Sequence, residues 1–143
     1  MATSFENNWK NILDKLESIF REEFKGALKV YIGVSVDAGN QYLRIDPLGS
    51  SLDSYMSNSE TREYSIAITY HFRDVNAKKT TLDHVLRYVS RIESLIHDNM
   101  IMTLSDSTKA IDCRVDECNL NQGDENEYVV VWSWKCLHVG NMS

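Results

Sequence analysis

The chain has 143 residues, a net charge of −6, and hydrophobic and charged fractions of 43% and 25%, as expected of one globular domain able to bury about two-thirds of its unfolded surface. The acidic balance argues against a nucleic-acid groove or an anionic membrane surface as the main function, because both need clustered Lys and Arg. No apolar run approaches the ~18–20 residues of a membrane span, the opening MATSFENNWK lacks the basic and apolar segments of a signal peptide, and the three cysteines are expected as reduced thiols in a cytosol.

Thr3 with Glu6 reads as a capping box. Behind it Phe5, Trp9, Ile12, Leu13, Leu16, Ile19 and Phe20 recur at helical spacing and predict a helix over 4–25, ended by Gly26. Leu28, Val30, Ile32, Val34 and Val36 then alternate with polar or small residues, the period of a strand with one buried face. The turn DAGN (37–40) leads to a second strand at 41–45, which Asp46-Pro47 should end because proline lacks the ladder N–H. Residues 46–61, DPLGSSLDSYMSNSET, read as a long loop, and a connection of that length is expected to be either functional or disordered.

A third strand is predicted at 62–73, with Tyr64, Ile66, Ile68, Tyr70 and Phe72 on one face. Thr80 is placed to cap a second helix, with Asp83 in its first turn. Leu82, Val85, Leu86, Val89, Ile92 and Ile96 form the apolar stripe of that helix, and Asp98-Asn99 stops it. After MIMTL, a short extended piece, Ile111, Cys113 and Val115 face one way and Asp112, Arg114 and Asp116 the other. NQGDENE (121–127) turns into the closing strand YVVVWSWKCLHVG. The order α-β-β-β-α-β-β predicts an α+β fold, with two helices packed on one face of a largely antiparallel sheet.

The last hairpin has an expected register. A symmetric turn near Asp124-Glu125 sets Cys113 opposite Cys136, Val115 opposite Trp134 and Glu117 opposite Trp132. A one-residue slip would bring Asp112 and Asp116 among the tryptophans. Trp134 is then core, and Trp132 lies at the core margin with its indole N–H seeking a partner. The opposite face of the strand, Val129, Val131, Leu137 and Val139, shows four aliphatics to water, and that pattern predicts a subunit interface.

No motif carries chemistry. Cys113, Cys118, Cys136 and His138 lack the usual zinc-ligand spacings, and strand alternation sends Cys113 and Cys118 to opposite faces. His71-Phe72-Arg73-Asp74 has none of the partners that would make it a catalytic loop. His84 and His97 read as solvated helix histidines, and the acidic turn 124–127 lacks the alternation and glycine of a calcium loop. Phosphate loops, dinucleotide fingerprints, nucleophile elbows and HExxH motifs do not occur. The reading is therefore no catalytic residue, no cofactor and no metal. Interaction features are plentiful, above all Leu48, Leu52, Tyr55 and Met56 in the long loop, since large apolar residues on such loops commonly make contacts.

In element order and lengths the chain resembles the tail terminator, or tail completion, proteins of tailed bacteriophages and the related head–tail joining and neck proteins. The matching pieces are SFENNWKNILDKLESIF, VYIGVSV, the loop DPLGSSLDSYMSNSE, REYSIAITYHF, LDHVLRYVSRIESLI and the closing YVVVWSWKCL. They cover nearly the whole chain and match in layout, without a diagnostic motif. The resemblance implies that residues 1–143 form one terminator-like domain and that copies of it make a hexameric ring. Such a ring caps the tail tube and gives the head or neck a docking surface. The implied partners are further copies of the chain, the tail tube protein and a head or neck connector, with no specific nucleic-acid binding and no membrane. The implied location is the tail–neck junction of the virion, after synthesis in the host cytoplasm. An acidic ring suits a passage for DNA, because like charges repel the phosphate backbone.

The competing expectation is a small cytosolic binding module, or an enzyme without a short signature. Its site would be an apolar pocket lined by Tyr64, Tyr70, Trp132 and Trp134. A filled core at those four positions would dismiss it.

Overall fold

A computed structural model of the chain describes residues 7–33, 41–56, 59–73, 79–105, 108–122 and 127–141. The expected capping box at Thr3 and Glu6, the DAGN turn and the tip of the last hairpin lie outside these residues.

The elements run α1 (Asn8–Phe24), β1 (Lys29–Ile32), β2 (Gln41–Met56), β3 (Ser59–Arg73), α2 (Lys79–Asp98), β4 (Met102–Thr103), β5 (Lys109–Gln122) and β6 (Glu127–Asn141). Among the described residues six strands form one sheet in the order β1-β2-β3-β6-β5-β4. The α+β class is as expected, but the sheet is mixed, because β1 and β2 pair in parallel while the other neighbours are antiparallel. The expected element order lacked β4, the strand formed within MIMTL.

The helix signals resolve locally. The Asn7 side chain accepts the Lys10 N–H at 3.1 Å and caps α1. The helix closes on Lys25, which takes the left-handed conformation at φ 48° and returns its N–H to the Arg21 carbonyl. Gly26 follows at φ 94°, a conformation glycine adopts without steric cost. Thr80 lies inside α2, one residue past its start at Lys79, and so is not its N-cap. At the other end Asn99 donates from its side chain to the Leu95 carbonyl at 2.8 Å.

One sheet face carries the core. Ile12, Leu13, Leu16, Phe20 and Phe24 of α1 and Val85, Ile92 and Ile96 of α2 meet Leu43, Ile45, Ile66, Ile68, Tyr70, Val130, Trp132 and Trp134. Leu82 and Leu86, expected in the core, lie at helical spacing on the flank of the stripe set by Val85, Ile92 and Ile96, and are exposed. Trp132 is fully buried, not marginal as expected. Its indole N–H donates to Glu93 Oε1 of α2 at 3.0 Å, so the polar end of the ring is satisfied without leaving the core. Burial of a side chain this large removes roughly 150–250 Å² from water, or about 4–6 kcal/mol of gross transfer free energy.

The largest departure from expectation is the long loop. Residues 46–56 continue β2, and β3 begins at Ser59, so the segment is an extended hairpin. Its sequence is rich in Ser and Asp and weak in β-propensity. Tertiary pairing overrides that weakness, because β3 lies between β2 and β6 and offers an unbroken ladder as far as Ser59↔Asn141. Pro47 does not end the strand. β1 covers β2 only to Ile45, so Pro47 sits where β2 becomes an edge among the described residues, and an edge strand tolerates the missing N–H.

Candidate assembly surface

The distal part of the β2–β3 hairpin forms an arm. Leu48 lies at a register shift between Pro47 and Gly49 and is 63% exposed, and Leu52, paired with Arg62, is 53% exposed. Tyr55 and Met56 pair through their backbones with Glu60 and Ser59. The four residues expected in a loop contact are thus brought onto one strand. Arg62 braces the arm through Glu60 at 2.6 Å and Ser50 at 3.4 Å.

The second expected surface is the sheet face turned away from the helices. Along β6, Tyr128, Val130, Trp132, Trp134, Cys136 and His138 point inward and are buried, while Val129, Val131, Ser133, Lys135 and Leu137 point outward and are half-buried by their neighbours. Val139, at the arm end, is 44% exposed. Across the ladder Val131 meets Thr69, Ser133 meets Ala67 and Leu137 meets Glu63. No helix covers this face among the described residues.

A charge cluster crosses the open face. Arg114 reaches Glu63, Asp112 and Asp116, each at 3.1 Å, and Lys135 reaches Asp116 at 3.1 Å. Burial pulls the Arg114 guanidinium downward, but the three carboxylates outweigh it and hold the group above its ordinary value. The hydrogen bond from Lys135, with Arg114 adding, holds the Asp116 carboxyl below its ordinary value against the effect of burial.

Two bulges on β5 create this arrangement. The ladder runs Ile111↔Leu137, then Arg114↔Lys135 and Val115↔Trp134, then Glu117↔Ser133 and Cys118↔Trp132. Only the central pairing, with Val115 opposite Trp134, matches the symmetric-turn register. At the first bulge Asp112 adopts φ 52°, and the alternation of faces resets. Ile111 therefore shares the open face with Leu137, contrary to expectation, while Ala110 and Cys113 are buried. Glu117 faces Ser133, not Trp132, and Cys118 moves to the helix side. Cys136 lies opposite the bulge and hydrogen-bonds the Cys113 thiol, which, with burial, pushes its own thiol strongly up. Burial and nearby Glu93 push Cys118 up to about 11. Such thiols are poor nucleophiles near neutral pH.

The expected apolar pocket is absent at its four named positions. Tyr64, Tyr70, Trp132 and Trp134 are filled core residues, all 5% exposed or less. A cavity of about 440 Å³ lies elsewhere, between α2 and β5, and is lined by Glu93, Ile96, His97, Val115 and Cys118 among others. His138 is buried against Thr108 at 2.9 Å. Among the described residues no three His, Cys, Asp or Glu side chains converge as metal ligands, and no helix is long and apolar enough to cross a membrane.

Among the described residues these features define a class: an α+β protein with two helices on one face of a six-stranded mixed sheet, an open opposite face and a long β2–β3 hairpin. No protein-family model and no curated protein matches the sequence. Among solved structures, a chain from the virion of a native gene transfer agent particle superposes with a TM-score of 0.60, over 90% of this chain and 98% of that one, at 10% identity. A second solved structure, whose name carries no function, superposes with a TM-score of 0.63, over 94% of this chain and 97% of that one, at 14% identity. At these identities the likeness is one of fold.

Proposed function

We propose that the chain is a structural subunit of a phage or phage-like virion, and more specifically a tail terminator made of one domain. In this reading its copies form a hexameric ring that caps the tail tube at the tail–neck junction and offers a docking surface to a head or neck connector. The observation that carries the proposal is the end-to-end likeness of fold to a chain of a gene transfer agent virion. The open sheet face supports it: Val129, Val131, Leu137 and Val139 are proposed to be buried against other subunits of the assembly, as half-exposed aliphatic faces often are. The arm, with Leu48, Leu52, Tyr55 and Met56, is proposed as the second contact. The proposed role is non-enzymatic; Tyr64, Tyr70, Trp132 and Trp134, which the competing reading expected to line a pocket, are core residues.

Light scattering of the purified protein across concentration tests the ring, and negative-stain images with tail tubes test the cap. The expected results are one defined oligomer mass and density at one end of each tube. Val131→Asp combined with Lys135→Glu should melt close to the wild type yet disappear from capped tubes. A chain that stays monomeric and never associates with tube ends would overturn the proposal.

A further inference from the structure

The sheet ends in two long strand edges. β1 covers β2 only as far as Ile45, where the Gly33 N–H meets the Ile45 carbonyl, so β2 beyond it has no neighbouring strand among the described residues. β4 covers β5 at Lys109 and Ala110, and the Met100 carbonyl takes the Cys113 N–H, so β5 from Arg114 to Gln122 is open in the same sense. Each edge presents backbone N–H and C=O groups that only water or another strand can satisfy. β2 runs antiparallel to β5, so a copy brought alongside by a ring rotation would set the two edges antiparallel, the more stable pairing.

We infer, resting on the ring proposed above, that Leu48–Met56 of one copy pairs antiparallel with Arg114–Gln122 of the next, with Leu52 opposite Cys118. In that register every open residue of β5 from Arg114 to Gln122 finds a partner on β2, and Asp46 and Pro47 are left over beside the end of β1. Both strands also carry a bulge at the same level: Asp53 is the extra residue on β2 and Asp116 the extra residue on β5. The alternation of faces therefore changes on both strands together, and Leu52 with Cys118, like Ser50 with Leu120, stays on the helix side of a continuous sheet.

The joint gives the exposed Leu52 side chain a seat. Cys118 and Val115 line the cavity between α2 and β5, so a leucine laid over Cys118 enters that cavity and leaves water. The geometry also suits closure. Leu52 is level with His138 through Arg62, and Cys118 with Trp132, six residues apart on β6. That is a stagger of ~20 Å over four strand spacings of ~19 Å. The joined strands then lean ~45° from the ring axis, close to the tilt of ~35–45° in closed barrels. One contact opposes the joint, Asp53 beside Glu117, and salt screens it, so assembly should strengthen with ionic strength. The open sheet face takes no part in this edge-to-edge joint.

Leu52→Cys tests the register directly, because a directly opposed antiparallel pair lies within disulfide reach of the native Cys118. Oxidation of Leu52→Cys with diamide should give a ladder of covalent oligomers that ends at the ring size. The ladder should vanish when Cys118→Ser is added. Ser50→Cys with Leu120→Cys, in a Cys118→Ser background, should give the same ladder by an independent pair and covers the case in which Leu52 itself is needed for folding. Light scattering of the wild type separates the two claims. A ring that yields no ladder from either pair overturns the joint and leaves the ring standing. A ladder that persists from Leu52→Cys without Cys118 also overturns the joint. A wild-type monomer at every concentration overturns both.

Discussion

At the residue scale, Asp116 shows how one inserted residue changes a surface. It is the extra residue of a bulge, and that position lets it accept from both Arg114 and Lys135. Its carboxyl is held below the ordinary 3.8, so the folded state binds its proton more weakly than the unfolded chain does. The resulting stabilisation is fully present above that ordinary value and is lost as pH falls through the lowered one. Thermal melts should therefore show a steeper loss of stability below about pH 4 in the wild type than in Lys135→Met, which removes the main cause of the shift. The group is partly solvated, so the difference should be small, within the range of ~0–1 kcal/mol typical of surface pairs. Trp132 teaches the converse. Alternation put it on the core face, but the sequence could not reveal Glu93, on a helix 39 positions away, as the acceptor that allows full burial.

At the element scale, the two long strand patterns were legible and the arm was not. Tyr64 through Tyr70 and Tyr128 through His138 alternate cleanly because each strand buries one face under helices. Residues 46–56 carry no such alternation, since beyond Pro47 the strand has the helices over neither face and bulges at Leu48 and Asp53 break its phase. The bulges of β5 hid in the same way: Ile111, Cys113 and Val115 look like one face, but a left-handed Asp112 between them sends Ile111 to the other. Because Leu48 and Leu52 contribute little to the core, replacing both with Asp should shift unfolding free energy by no more than ~0.5 kcal/mol each. The same variant should lose the oligomer mass seen for the wild type by light scattering. A drop in melting temperature together with retained oligomer would mean that the arm packs on its own subunit.

At the scale of the whole molecule, the layout in the sequence carried the class but not the connectivity. Helix stripes and strand alternation fix which faces are buried, and that suffices for two helices over a sheet. Strand order depends on which strands meet across long sequence separations, so the parallel β1–β2 pair was beyond reach, as was the place of β4 at the sheet edge, although MIMTL read as an extended piece. The candidate surfaces follow the same division. The outward placement of Val129, Val131 and Leu137 was legible because they oppose the core on an alternating strand. The open edges were missed because an edge is a property of neighbours, not of side chains.

The β3–β6 ladder has a mechanical consequence. It runs from Ser59↔Asn141 to Arg73↔Glu127 without a register shift, whereas β2–β3 and β5–β6 each contain two. The molecule thus has a stiff central spine flanked by strands that can flex at their bulges. Load applied at the arm would travel along the spine in shear, across many hydrogen bonds at once, and into the strands that hold the tryptophans. Native-state hydrogen exchange should reflect this division. The β3 and β6 amides between Ile66 and Trp134 should exchange slowest, near the global unfolding limit, and those beside Leu48, Asp53, Asp112 and Asp116 should exchange faster.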